Sequence, residues 1–139
     1  MKKFQYNFEK ILKLKEFIRK EKEEEFVKIS SKIDSLKVQI NKNIETMSTL
    51  KRDNSNPLIS YYTTKYFDRL AKENELYQNE IELLMDEFNK KKDEYIKAKI
   101  EEEKYKKLKE KRFEKYKIEF FKEEQKFLDE ISNDKFLRS

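Results

Sequence analysis

The chain has 139 residues, of which 45% are charged, 34 of them basic and 29 acidic, and it carries a net charge of +5. It contains one proline and no glycine, cysteine, histidine or tryptophan. That composition excludes a fold with many tight turns, a disulfide framework, a thiolate metal site, a glycine-rich phosphate loop and the commonest general base. Leu, Ile, Val and Phe together make up about 27% of the residues, above the roughly 20% below which disorder is the default. Charges of mixed sign also argue against a disordered polyelectrolyte. An ordered chain that can hardly turn must be elongated. No apolar run approaches the roughly 20 residues needed to span a bilayer. The N-terminus has a positive start but no apolar region or cleavage site of a signal peptide, so the expectation is a cytoplasmic protein without direct membrane insertion.

In chain order, residues 1–7 read as extended, with Phe4 and Tyr6 alternating with Lys3 and Gln5. Asn7 suits an N-cap, and Tyr6 and Ile11 stand at the positions of a hydrophobic staple. The first helix is expected over about 8–52. Its apolar stripe runs Phe4, Phe8, Ile11, Lys15, Ile18, Lys22 and then, regularly, Phe26, Ile29, Ile33, Leu36, Ile40, Asn43, Met47, Leu50. The steps alternate three and four, as in a heptad repeat, with a stutter around Lys22 where the stripe is weakest. Asn43 is the polar residue of this seam, a position that commonly fixes register.

The stretch Asp53-Asn54-Ser55-Asn56-Pro57 gathers turn formers and the one proline, and is where the chain can reverse. Asn56 suits an N-cap and Pro57 the first helical position. A start at Ser60 or Thr64, around the β-branched pair Thr63-Thr64, is a competing reading. The second helix is expected over about 57–131, with the seam Leu70, Asn74, Tyr77, Ile81, Leu84, Phe88, Lys91, Tyr95, Ala98, Glu102, Tyr105. Beyond Tyr105 the stripe slips in phase and resumes as Phe113, Tyr116, Phe120, Glu124, Phe127, Ile131. Ser132-Asn133-Asp134 is expected to stop the helix, leaving a short C-terminal tail. The fold class is therefore all-α: one elongated domain, an antiparallel two-helix coiled coil with unequal arms. With the bend centred at 55, Ile29 would face Ile81 and Phe8 would face Glu102. About 30 residues of the second helix would then project roughly 45 Å without an intramolecular partner. Uncovered aromatics on such a projection mark a partner site.

Little in the chain could perform catalysis. The acidic runs Glu23–Glu25 and Glu101–Glu103 read as solvated faces, and Ser30-Ser31 and Thr63-Thr64 have no base beside them. The expectation is a protein that is not an enzyme and needs no cofactor or metal. Residues 104–117 hold eight basic and two acidic residues, a local charge of +6. They read as a solvated face, as a dock for an acidic protein surface or, less well, as a phosphate-contacting segment. The segment lacks the base-reading pattern of a basic zipper, and nucleic acid is not expected as a partner.

Three stretches carry a resemblance to a known family. The start Phe4-x-Tyr6-x-Phe8-Glu9-Lys10-Ile11-Leu12-Lys13-Leu14-Lys15 resembles the opening of flagellar export proteins of the FliJ family. Tyr66-Phe67-Asp68-Arg69-Leu70 is similar to that family's aromatic-x-x-x-Leu stretch after the bend. Leu108–Tyr116 and Glu124–Ile131 look like its basic run and closing Leu-Asp-Glu. The resemblance implies an antiparallel coiled coil similar to the γ stalk of rotary ATPases, working in the type III export apparatus at the cytoplasmic face of the flagellar basal body. It implies that the paired termini enter the ring of the export ATPase and promote its assembly and activity. It further implies contacts with the membrane export gate and with export chaperones. On this expectation Phe4, Phe8, Lys109, Arg112, Phe113, Tyr116, Phe120, Phe127 and Leu128 face the ATPase. Met47, Tyr62, Tyr66 and Leu70 face the gate or chaperones. The alternative is a scaffolding coiled coil that self-associates through its long second helix without a motor partner.

Overall fold

The computed structural model describes residues 2–50 and 56–138, with side chains through residue 135. Two helices, α1 (Glu9–Thr49) and α2 (Pro57–Arg138), pack against each other as a helical hairpin coiled coil. Packing divides the chain into two compact units, one of residues 1–20 with 97–139 and one of residues 21–96.

The helix ends follow from local hydrogen bonding. Leu12 N donates to Phe8 O at 2.8 Å, so the cap of α1 falls at Phe8, one residue later than Asn7. Near its C-terminus, Thr46 Oγ1 donates to Lys42 O, Ser48 Oγ to Glu45 O and Thr49 Oγ1 to Thr46 O. These hydroxyls compete with the backbone for its own carbonyls, and α1 stops at Thr49 rather than at Arg52. Residues 53–55 of the expected bend lie outside the described residues. The entry to α2 matches expectation: Asn56 Oδ1 accepts from Leu58 N at 3.1 Å and Ile59 N at 3.4 Å, with Pro57 as the first helical residue. A helix starting at Ser60 or Thr64 is not formed. At the far end, Ser132-Asn133-Asp134 does not stop α2, which runs on to Arg138. These residues are mediocre helix formers, but no glycine or proline follows to enforce a stop.

The unit of residues 21–96 holds the regular seam. Ile33, Leu70 and Ile81 are buried, at 4%, 6% and 5% exposure. Phe26 packs against Phe88 at 5.3 Å and stacks parallel to Tyr95 at 5.8 Å. The two seam asparagines meet: Asn43 Nδ2 donates to Asn74 Oδ1 at 2.8 Å, and Asn74 Nδ2 donates to Ile40 O at 3.4 Å. Asn43 Nδ2 also reaches Glu73, which accepts from Tyr77 Oη at 2.8 Å. The Tyr77 hydroxyl and then Asn43 hold the Glu73 carboxyl below its ordinary pKa.

These pairs correct the expected register. Asn43 lies against Asn74 rather than opposite Phe67, and Phe26 against Phe88 and Tyr95 rather than Leu84. The helices are displaced by about two turns from a bend centred at 55. The physical reason is pairing chemistry: an amide in an apolar seam finds its best partner in another amide.

The stutter is filled by charge. Lys22, Glu25, Lys91 and Glu94 form a ring of alternating sign. Lys22 lies 3.8 Å from Glu25 and 3.5 Å from Glu94, and Lys91 lies 3.1 Å from Glu25 and 3.6 Å from Glu94. Burial pushes the Glu94 carboxyl up, but Lys91 and Lys22 outweigh it and hold the pKa below its ordinary value. Lysine stems cover the seam there while their heads neutralise the two carboxylates.

Candidate functional site

The unit of residues 1–20 and 97–139 carries most of the residues expected to face a partner. Residues 2–8 are not helical and lie as a strap along α2. Tyr6 is buried at 8% exposure, and its hydroxyl donates to Tyr105 O at 3.0 Å. Phe4 meets Phe113 edge-on at 5.0 Å and Tyr116 at 5.4 Å. The Tyr116 hydroxyl donates to Lys2 O at 2.9 Å. The Arg112 guanidinium lies 4.7 Å from the Phe8 ring centre and 5.8 Å from that of Tyr6, within cation–π range. Lys109 Nζ pairs with Glu9 at 2.8 Å.

Alternating aromatics explain the strap. In extended backbone, Phe4 and Tyr6 point to the same side, so both can lie on α2. A turn over Asn7 and Phe8, closed by Glu9 N donating to Tyr6 O at 3.1 Å, sets the Phe8 ring against Tyr105. The partners of these aromatics on α2 are Tyr105, Arg112, Phe113 and Tyr116. The same face carries Lys109, paired with Glu9, and half-buried Phe120, packed on Tyr116. The apolar stripe slips in phase after Tyr105, but the packed face does not, because Lys109 and Arg112 occupy seam positions. Phe113 and Tyr116 therefore have intramolecular partners, a correction to the uncovered projection expected from α1 alone. From residue 121 through 135 every side chain is exposed, with Phe121 at 64%, Phe127 at 62% and Leu128 at 58%.

The charge cluster of this unit joins α1 to α2. Glu102 is 2% exposed. Arg19 donates to it through Nε and, at 3.3 Å, through Nη2, and Lys106 Nζ pairs with it at 2.9 Å. The Arg19 hydrogen bond is the largest influence on the Glu102 carboxyl and, with Lys106, holds it ionised against the cost of burial. Leu12, at 4% exposure, takes the seam position expected of Ile11, which is 37% exposed. Glu102 stands on the expected stripe, but facing Arg19 instead of Phe8. Its partnership could have been suspected from an arginine beside the weak stretch of the first stripe, in a chain whose cations are mostly lysine.

The residues expected to face a gate or chaperone lie in the other unit. Tyr62 is 63% exposed and Tyr66 42%, with Leu58, Ile59 and Tyr61 also exposed nearby. Met47 is half-buried. Leu70 is a core residue at 6% exposure, so its side chain supports the helix pair and is not presented outward.

Fold and site together define a two-helix coiled coil with an aromatic and cationic strap-bound patch. The flagellar FliJ protein family matches the chain over residues 4–139, and the chain belongs to that family. No curated protein and no solved structure matches it. Membership implies a role related to flagellar export. Among the described residues no helix is long and apolar enough to cross a membrane.

Proposed function

We propose that the protein is a non-enzymatic stalk of the flagellar type III export apparatus. Its terminal unit inserts into the export ATPase ring and promotes ring assembly and activity, and its bend-proximal aromatics contact the export gate and chaperones at the cytoplasmic face of the basal body. The observation that carries this reading is the composition of the terminal unit. Phe4, Phe8, Lys109, Arg112, Phe113 and Tyr116 join strap and helix into one patch, and the helix beyond it is an aromatic surface exposed through residue 135. Helix and strap are stiffened by these contacts before any partner arrives, which lowers the ordering cost of entering a ring. Tyr62 and Tyr66 offer rigid aromatic area for a second contact.

The test uses two exposed side chains beyond the strap. Phe127→Ser with Leu128→Ser is expected to leave the thermal unfolding midpoint unchanged and to abolish most stimulation of the purified export ATPase. Full stimulation by this variant would refute insertion through the terminal unit.

A further inference from the structure

Beyond the strap, the packing face of α2 runs on exposed through residue 135, the last whose side chain is described. Phe120, half-buried at the strap's edge, is followed at heptad spacing by Glu124, Phe127, Ile131 and Asp134. In that frame Phe121 and Leu128 flank one side of the seam, while Glu123 and Glu130 flank the other. The charge also reverses: residues 104–117 carry +6, whereas residues 118–134 hold two basic and six acidic residues, a net charge of −4. The continuing face is thus a wide apolar strip with an acidic edge, continuous with the seam that α2 already uses for α1 and the strap.

We infer that residues 120–134 of α2 dock a basic amphipathic helix from another protein, laid along the seam where the strap leaves off. The strap gives a partial parallel, since Phe4 packs on the aromatics of this same face beside a groove lined by Lys2, Lys3, Arg112, Lys115 and Glu119. A lysine- or arginine-flanked helix would pair with Glu123 and Glu130 at the positions that set partner choice in coiled coils. A second copy of this chain is disfavoured, because antiparallel pairing of the stretch with itself sets glutamate edge against glutamate edge. This goes beyond the stalk reading and does not depend on it, since the docked helix need not come from the ATPase.

The test uses the full chain and labelled synthetic helices in fluorescence anisotropy. One peptide carries a leucine heptad seam flanked by lysines, a second has the lysines replaced by glutamates, and a third scrambles the first. The lysine-flanked helix is expected to bind at least tenfold more tightly than either control. Glu123→Lys with Glu130→Lys is expected to weaken it about fivefold or more, and Ile131→Ser to weaken it further. Equal binding of the scrambled peptide would reduce the surface to bulk charge and overturn the inference, as would an unchanged affinity in the Glu123/Glu130 and Ile131 variants. No ATPase is present, so a null result here leaves the stalk assay untouched, and loss of stimulation there leaves this one intact.

Discussion

Glu102→Ala is expected to lower the unfolding free energy by about 2 kcal/mol, measured by urea denaturation followed by circular dichroism. The carboxylate is buried and accepts hydrogen bonds from Arg19 and an ion pair from Lys106. Hydrogen bonds to charged groups contribute roughly 1.5–3 kcal/mol, and the Arg19 side chain, 21% exposed, keeps partial access to water once its partner is gone. The same group predicts a pH dependence. Its folded pKa is depressed, so its contribution is fully present above the unfolded value near 4.5 and is lost as pH falls through the folded value. The gap between wild type and Glu102→Gln should therefore be widest above about pH 5 and shrink as the solution is acidified. A gap that stays constant down to the acid transition would mean that the pair contributes no differential stability.

Ile81→Ala carries the second large effect, an expected loss of about 2–3 kcal/mol. Ile81 is 5% exposed in the core of the unit of residues 21–96, and large-to-small changes at such sites cost roughly 2–5 kcal/mol. A two-helix core can partly collapse around the cavity, which places the figure at the lower end. Leu83, 81% exposed on the same helix, is the control, and Leu83→Ala should change stability by no more than about 0.5 kcal/mol. Equal effects at the two positions would contradict the seam assignment.

These two positions show what the amino-acid pattern could and could not reveal. Heptad spacing identified Ile33, Leu70 and Ile81 as seam residues, because a straight helix allows few other faces to be buried. Glu102 stood on the same stripe but in an acidic run read as a solvated face, and it is buried. Asn56-Pro57 was legible because capping chemistry is local. The register was not legible, since periodicity tells which face packs but not how far one helix slides along the other. That slide is decided by pairs such as Asn43–Asn74 and Phe26–Tyr95, which compete with alternatives only one or two turns away. The strap escaped for a related reason. Phe4, Tyr6 and Phe8 read as extended, but their fit onto Tyr105, Phe113 and Tyr116 depends on that register. Arg112 and Lys109, read as part of a charged run, became packing residues once the strap supplied ring faces and Glu9.

The strap also changes what a variant at Phe113 or Tyr116 would report. Both side chains hold residues 2–4 in place, so their loss would disturb the fold of the terminal unit as well as any partner contact. Phe127 and Leu128 lack that double role, being exposed and beyond the strap.

The central claim is that this exposed part of the terminal unit meets the export ATPase. Site-specific photocrosslinking tests it most directly, with the reactive group placed in turn at positions 127, 128 and 83 of the full chain and the purified ATPase as target. Adducts are expected from positions 127 and 128 and none above background from position 83. Adducts of equal yield from position 83, or none from 127 and 128, would contradict it.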